Sequence, residues 1–316
     1  TGTTSSGEIS NATVYSTGTS TAFATSTQFG STVASPNGSF SVTGSQALSM
    51  GTNYFWLAYD ISPGATDEHL IDATCEQITV AGVEYTPSVT SPSGSRMIRT
   101  PLTGTRTIAA TGAKYTTLGA AIEELNYFGV APGGVTFTLA DGETFNESPT
   151  IRITQTGTED DPIVIRQSGS GTRPVLSFTG TVFVDTCIKF SQVSNITIDG
   201  LQIVDATATN KVEYGIYIHG TGTAGSQNNI IKNCLIDLDK TNTSTIGVYL
   251  YSTATSESGT NSNNKFYNST VQDCYSGYYF NGNSTYYDTG NEINILSGGA
   301  SAITNLGGSS SAVYGV

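Results

Sequence analysis

Tyrosine recurs in the middle place of an apolar triplet through the second half of this chain: Ile216-Tyr217-Ile218, Val248-Tyr249-Leu250 and Tyr278-Tyr279-Phe280. Ile188-Lys189-Phe190 stands ahead of them, and Val313-Tyr314 reads as a fifth copy. Successive side chains of a strand alternate faces, so inward Ile216 and Ile218 turn Tyr217 outward, and the same parity exposes Tyr249, Tyr279 and Tyr314. His219, Tyr251 and Asn281 follow two places on and flank the row. Rings on strands stacked about 4.8 Å apart make a flat amphipathic stripe that suits sugars, whose C–H faces pack on aromatic planes while their hydroxyls reach Asn and Tyr side chains. These seven residues are the candidate ligand-binding set. The competing reading is that the tyrosines stack only to stabilise a sheet face.

Groups for acid–base chemistry are sparser. The repeats offer Lys189, Lys211, Lys232, Lys240 and Lys265, and no arginine follows Arg173. Lys232 sits in the outward register of Asp199 one coil earlier and of Tyr267 one coil later, which reads as a surface ion pair. Asp237 and Asp239 alternate onto one face of a strand, but a hydrolytic carboxylate pair wants a second acid on an adjacent coil, and Asp205 and Asp273 are loosely placed for it. Glu159-Asp160-Asp161 reads as a solvated loop before Pro162. His69 and His219 are the only histidines, too few for a histidine metal cluster. No catalytic residue, metal ligand or cofactor is therefore assigned, apart from weak Ca²⁺ contact at such acids.

The elements that must hold these residues follow from the intervals. The triplets begin at 188, 216, 248 and 278, and between them runs a second series: Ile198-Asp199-Gly200-Leu201-Gln202-Ile203, Ile231-Lys232-Asn233-Cys234-Leu235-Ile236 and Phe266-Tyr267-Asn268-Ser269-Thr270-Val271, with Ile293 opening a fourth. A coil of about thirty residues holding at least two short strands cannot bury its apolar face alone, so coils must stack and share one core. The expectation is a parallel β-helix over 107–316, with Ile216, Ile218, Val248, Leu250, Tyr278 and Phe280 inside. Gly215, Gly247 and Gly277 are expected to form corners through positive φ. Asn229, Asn264 and Asn291 are expected to form a hydrogen-bonded ladder while tolerating left-handed backbone. Leu118, Ala121, Ile122, Leu125 and Phe128 recur at helical spacing and predict one helix over 117–127, ended by Gly129. It would cap the first coil.

Residues 1–100 differ. Short alternating runs at Ala12–Tyr15, Ser39–Val42, Tyr54–Tyr59, Gln77–Val80 and Arg96–Ile98, with turns such as Pro36-Asn37-Gly38, predict a small β-sandwich. Residues 101–106 are the expected linker. Twelve basic against twenty-five acidic residues, with no basic cluster, exclude nucleic acid and an anionic membrane surface as partners, and no apolar run is long enough to insert in a membrane. Cys75, Cys187, Cys234 and Cys274 show no metal-binding spacing, and Cys234 aligns with inward Leu201 and Ser269; all four are expected to be unbridged, with Cys234–Cys274 the alternative pairing. Because no polar cap follows the last residues, the natural protein is expected to continue.

Two resemblances add to this. Ala12-Thr13-Val14-Tyr15-Ser16-Thr17-Gly18-Thr19, Gly51-Thr52-Asn53-Tyr54-Phe55-Trp56-Leu57-Ala58-Tyr59-Asp60 and Ile71-Asp72-Ala73-Thr74-Cys75 resemble the N-terminal sandwich domain of some bacterial sialidases and of large secreted Bacteroidota proteins. Thr117-Leu118 with Ala120-Ala121-Ile122, and Asn195-Ile196-Thr197-Ile198-Asp199-Gly200-Leu201, resemble the right-handed parallel β-helices of secreted bacterial proteins. The first resemblance implies a secreted or cell-surface protein, often exported by type IX secretion. The second implies a fold shared by pectate lyase-like enzymes, tailspikes and adhesins. Lyases of this fold neutralise a uronate carboxylate with Ca²⁺ or Arg and use Lys, Arg, Tyr or His as base. The fold class is thus all-β: an N-terminal sandwich, then a right-handed parallel β-helix with one capping helix. The leading expectation is an adhesin, stalk or filament component that contacts a polysaccharide, a cell-surface glycan or further copies of itself. The alternative is a polysaccharide lyase or glycosidase.

Overall fold

Period-2 alternation in the repeats becomes three strands per coil. The structure is a computed structural model describing residues 3–206, 211–294, 302–304 and 306, and its chain divides into two units, Thr1–Thr100 and Pro101–Val316. Among the described residues the second unit carries three parallel sheets of seven, six and five strands, each strand pairing with its equivalent one coil away. This is a right-handed parallel β-helix. Its core is built of stacked files, one of which runs Phe137, Ile165, Ile198, Ile231 and Phe266 through the seven-stranded sheet. A second runs Phe145, Leu176, Ile203, Ile236 and Val271 through the six-stranded sheet. A third runs Ile151, Ile188, Ile216, Val248 and Tyr278 through the five-stranded sheet. Every one of these side chains is buried, and each contributes about 1.5–3 kcal/mol by leaving water.

The second series in the sequence is not one strand but two, as at Ile230–Lys232 followed by Leu235–Asp237. The split falls at Gly200, Asn233 and Asn268, whose φ values of 76°, 55° and 49° are left-handed. Glycine and asparagine tolerate that region best. Such a residue turns the chain from one sheet to the next, and it puts Leu201, Cys234 and Ser269 inside the corner.

Two expected corner devices work differently. Gly215, Gly247 and Gly277 do not have positive φ. They are needed because a Cβ would point into the core: at Gly247 it would lie 2.2 Å from Val271 Cγ1, and at Gly215 2.7 Å from Ile236 Cγ2. The equivalent place in the earlier coil holds buried Cys187. The asparagine ladder forms as expected, with Asn229 N–H donating to Asn264 Oδ1 at 3.1 Å and Asn264 N–H to Asn291 Oδ1 at 2.8 Å. Its left-handed members, however, are the preceding Asn195, Asn228 and Asn263, at φ 59°, 58° and 60°.

The helix spans Leu118–Phe128, begins at Thr117, whose hydroxyl accepts from Ala120 N–H, and ends at Gly129 with φ 78°. It buries Leu118, Ala121, Ile122 and Leu125 in the core of the β-helix. The buried carboxylate of Glu147 accepts Leu118 N–H at 2.5 Å and Gly119 N–H at 3.0 Å, meeting two of the helix's orphan donors. The expected linker is not free chain: from Leu102 it belongs to strand Leu102–Ile108, which pairs with Val130–Leu139 and opens the seven-stranded sheet.

In the first unit, Ile9–Gly18 lies between antiparallel Gln28–Ala34 and Tyr54–Ile61, and two short ribbons pair Leu70–Ile71 with Arg96–Met97 and Ile78–Val80 with Val83–Tyr85. Ser39–Val42 forms no strand; it passes beside Gly30, where a Cβ would lie 2.7 Å from Val42 Cγ1. The core is small, centred on Ile9, Ile71 and Ile98. Among the described residues no helix is long and apolar enough to cross a membrane.

Candidate functional site

The outer face of the five-stranded sheet gathers the candidate residues on strands Ile151–Ile153, Thr186–Ser191, Tyr214–Gly222, Ile246–Ala254 and Ser276–Asn281. Register puts Arg152, Lys189, Tyr217, Tyr249 and Tyr279 in one outward file and Ser191, His219, Tyr251 and Asn281 in the next. The parity expected from sequence thus brings Tyr217, Tyr249, Tyr279, His219, Tyr251 and Asn281 together, all half-buried. Of the residues expected inside, five are buried, while Phe280 is partly exposed and packs against the core. Tyr314 lies outside the described residues.

The rings form a stack. Tyr217 and Tyr249 lie 5.0 Å apart between centroids at 12°, Tyr249 and Tyr279 5.4 Å apart at 14°, and His219 and Tyr251 6.1 Å apart at 19°. Tyr214, turned outward beside the Gly215 corner, adds a ring 5.1 Å from Tyr249. Burial, followed by the neighbouring phenols, pushes the Tyr217 hydroxyl up to about 12. It therefore stays protonated and can donate a hydrogen bond. Burial likewise raises Tyr249, and hydrogen bonding with Asn281 opposes that rise.

Two cations head the file. Lys189 Nζ lies over the Tyr217 ring, 4.7 Å from its centroid, a cation–π contact. Arg152 is exposed, and its Nε donates to Ser191 Oγ at 2.8 Å, which fixes the guanidinium alongside Lys189. Burial lowers the Lys189 pKa, and so does Arg152. Burial is also the largest cause of the lowered pKa of His219, with Lys189 and Arg152 adding to it. The imidazole is thus unprotonated at neutral pH and has no hydrogen-bond partner among the described residues. None of the outward residues in these two files is acidic, in a chain whose formal net charge is −13.

Arg152 escaped the sequence reading. Its triplet, Ile151-Arg152-Ile153, has the same apolar-X-apolar form but begins 37 residues before Ile188 (188 − 151), beyond the 28, 32 and 30 residue steps that define the later coils. The triplet was the available signal, and the longer coil hid it.

The acids weighed from sequence lie elsewhere, and Asp161, Asp199, Asp205, Asp237, Asp239 and Asp273 have structural partners. Asp199 pairs with Lys232 at 3.3 Å, as expected. Asp239 pairs with Lys211, and hydrogen bonding to that lysine is the largest cause holding its carboxyl down at about 2. Asp237 accepts from Gln272 Nε2 at 3.0 Å, and Asp273 pairs with Lys240 at 3.6 Å. Asp161 accepts Gly133 N–H at 2.6 Å. His69 belongs to the first unit, bonded to Glu8 at 2.7 Å. All four cysteines are free, and only Cys75 is exposed.

No family model and no curated protein matches the chain. Among solved structures, a rhamnogalacturonan lyase matches with 16% identity and a TM-score of 0.42 over 60% of this chain and 50% of its own. An alginate lyase from Paenibacillus sp. str. FPU-7 matches with 18% identity and a TM-score of 0.34 over 64% of this chain and 74% of its own. The matched region thus spans half the length of the first lyase. Any functional reading rests on the side chains of the five-stranded sheet.

Proposed function

We propose that the outer face of the five-stranded sheet binds an acidic polysaccharide and cleaves it by β-elimination. The observation that carries this is the placing of Arg152 and Lys189 at the head of the tyrosine file, with His219, whose pKa burial and the two cations lower, in the neighbouring file. Arg152 and Lys189 pair the carboxylate of a uronate residue and so stabilise the charge that develops on the carbon beside it. The His219 imidazole takes the C5 proton, the freed electron pair forms the C4=C5 double bond, and the C4–O bond breaks. The departing oxygen takes a proton from the Tyr217 hydroxyl, which solvent restores, while His219 returns its proton to solvent. The ring edges and hydroxyls of the stacked Tyr249, Tyr279 and Tyr251 hold the remaining sugars by apolar contact and hydrogen bonds.

The adhesin or stalk expectation draws on the solenoid, the resemblance of residues 1–100 and the tyrosine stripe, whereas elimination draws in addition on Arg152, Lys189 and His219 gathered at that stripe, and so we place the enzyme reading first. Its test is to incubate the protein with acidic polysaccharides and follow the ultraviolet absorbance of the conjugated double bond. His219→Ala is expected to reduce kcat by about 10²–10⁴-fold, the range for loss of a general base, with binding retained. Arg152→Ala and Lys189→Met are expected to weaken binding and its salt dependence. Binding without unsaturated product would leave a binding protein in place of an enzyme. Undiminished binding by the double cation variant would overturn the site itself.

A further inference from the structure

We infer, on the basis of the reading above, that the polymer taken by this face is a heteropolysaccharide, with an acidic residue at the Arg152–Lys189 end and uncharged sugars toward Tyr279. Positive charge is confined to one end of the stripe. Along the outward file the residues are Arg152 and Lys189, then Tyr217, Tyr249 and Tyr279; along the next they are Ser191, His219, Tyr251 and Asn281. Lys211 and Lys240, the lysines of the flanking loops, are paired with Asp239 and Asp273.

Distance keeps the two cations from serving the far end. Tyr249 and Tyr279 lie two and three strands from Lys189, roughly 10 and 14 Å at the usual strand spacing, whereas charges at a surface are screened over about 8–10 Å at physiological salt. A pyranose repeat is on the order of one strand spacing, ~4.8 Å, so each coil meets roughly one sugar. A polyuronate laid on the stripe would set a carboxylate over each of Tyr249 and Tyr279, whereas a polymer alternating uronate and neutral sugar, with its acid at Lys189, sets one over Tyr249 alone and leaves a neutral sugar at Tyr279. Those carboxylates would lose water and gain no cation.

Uncharged sugars meet the opposite situation. They need no cation, and beside Tyr279 lies a shallow pocket of about 220 Å³ whose lining includes Tyr275, Thr243 and Ser244. Hydroxyls and an aromatic wall there suit a neutral sugar or a neutral branch. The lining holds no cation to pair a carboxylate.

The test compares kcat/KM and Kd on polygalacturonate with those on two alternating polymers, glucuronate–N-acetylglucosamine and galacturonate–rhamnose. At least a tenfold preference for one alternating polymer is expected. Tyr279→Lys, which adds a cation at the neutral end, should narrow that preference by improving polygalacturonate. Should that variant fail to fold, as judged by circular dichroism, Asn281→Lys places the charge on the same strand in the neighbouring file. Equal or better use of polygalacturonate by the unmodified protein would overturn this inference and leave the acidic-polymer reading standing. Binding to neither class of polymer would overturn both.

Discussion

Replacing Asn229 with Ala is expected to cost the β-helix about 2–6 kcal/mol, and the estimate follows from three hydrogen bonds. Asn229 is fully buried. Its Oδ1 accepts Ile196 N–H at 3.1 Å, and its Nδ2 donates to Val193 C=O at 3.0 Å and to Asn264 Oδ1 at 3.0 Å. Alanine keeps the backbone but strips these partners from a buried N–H and a buried C=O, each worth about 1–3 kcal/mol when left unmet. Asn264 Oδ1 loses less, because it still accepts Asn229 N–H. The effect reaches the site, since Asn264 Nδ2 donates to Ser226 C=O and Ser226 Oγ donates to the carbonyl of His219. Asn228→Gly is the control. Asn228 is exposed with φ 58°, so glycine relieves a left-handed residue while loosening the unfolded chain, and the net change should stay within about 1 kcal/mol. Urea unfolding monitored by far-ultraviolet circular dichroism reads both. A loss below about 1 kcal/mol for Asn229→Ala, or a larger loss for Asn228→Gly, would refute the assignment of the ladder to hydrogen bonding.

Three further outcomes are expected. Because burial and the two cations lower the His219 pKa, kcat/KM should hold as pH falls through the ordinary imidazole range and decline only below it; Lys189→Met should move that limb to higher pH, which a kinetic pH profile and histidine NMR titration can each check. Gly247→Ala, which drives a Cβ to 2.2 Å from Val271 Cγ1, should destabilise by about 3 kcal/mol, the upper end for overpacking, read as a lowered Tm. Tyr217→Ala, Tyr249→Ala and Tyr279→Ala together should abolish measurable retention on immobilised glycans while preserving the circular dichroism spectrum, since each aromatic contact contributes about 0.5–1.5 kcal/mol beyond area burial.

Much of this protein is legible in local pattern. Side-chain parity is a property of two neighbouring residues, so Ile216-Tyr217-Ile218 and its copies declared which side chains face out before any coil was stacked, and registers such as Tyr217 to Tyr249 agree with them. The helix and its Thr117 and Gly129 boundaries were equally local, resting on helical spacing and cap chemistry. What parity cannot supply is coil length or bend position. Only tertiary stacking brought Arg152 into file with Lys189 across a longer coil, because the match of Ile151 and Ile153 to Ile188 and Phe190 is enforced by a shared core and not by a fixed interval. Stacking likewise split each run of the second series at Gly200, Asn233 and Asn268, and it required glycine at 215, 247 and 277 through crowding from the opposite sheet. The sequence by itself therefore determined which faces of the strands are apolar and where the tyrosines point. The tertiary structure decided which charges share that face, because two residues far apart in the chain meet only when the core between them packs.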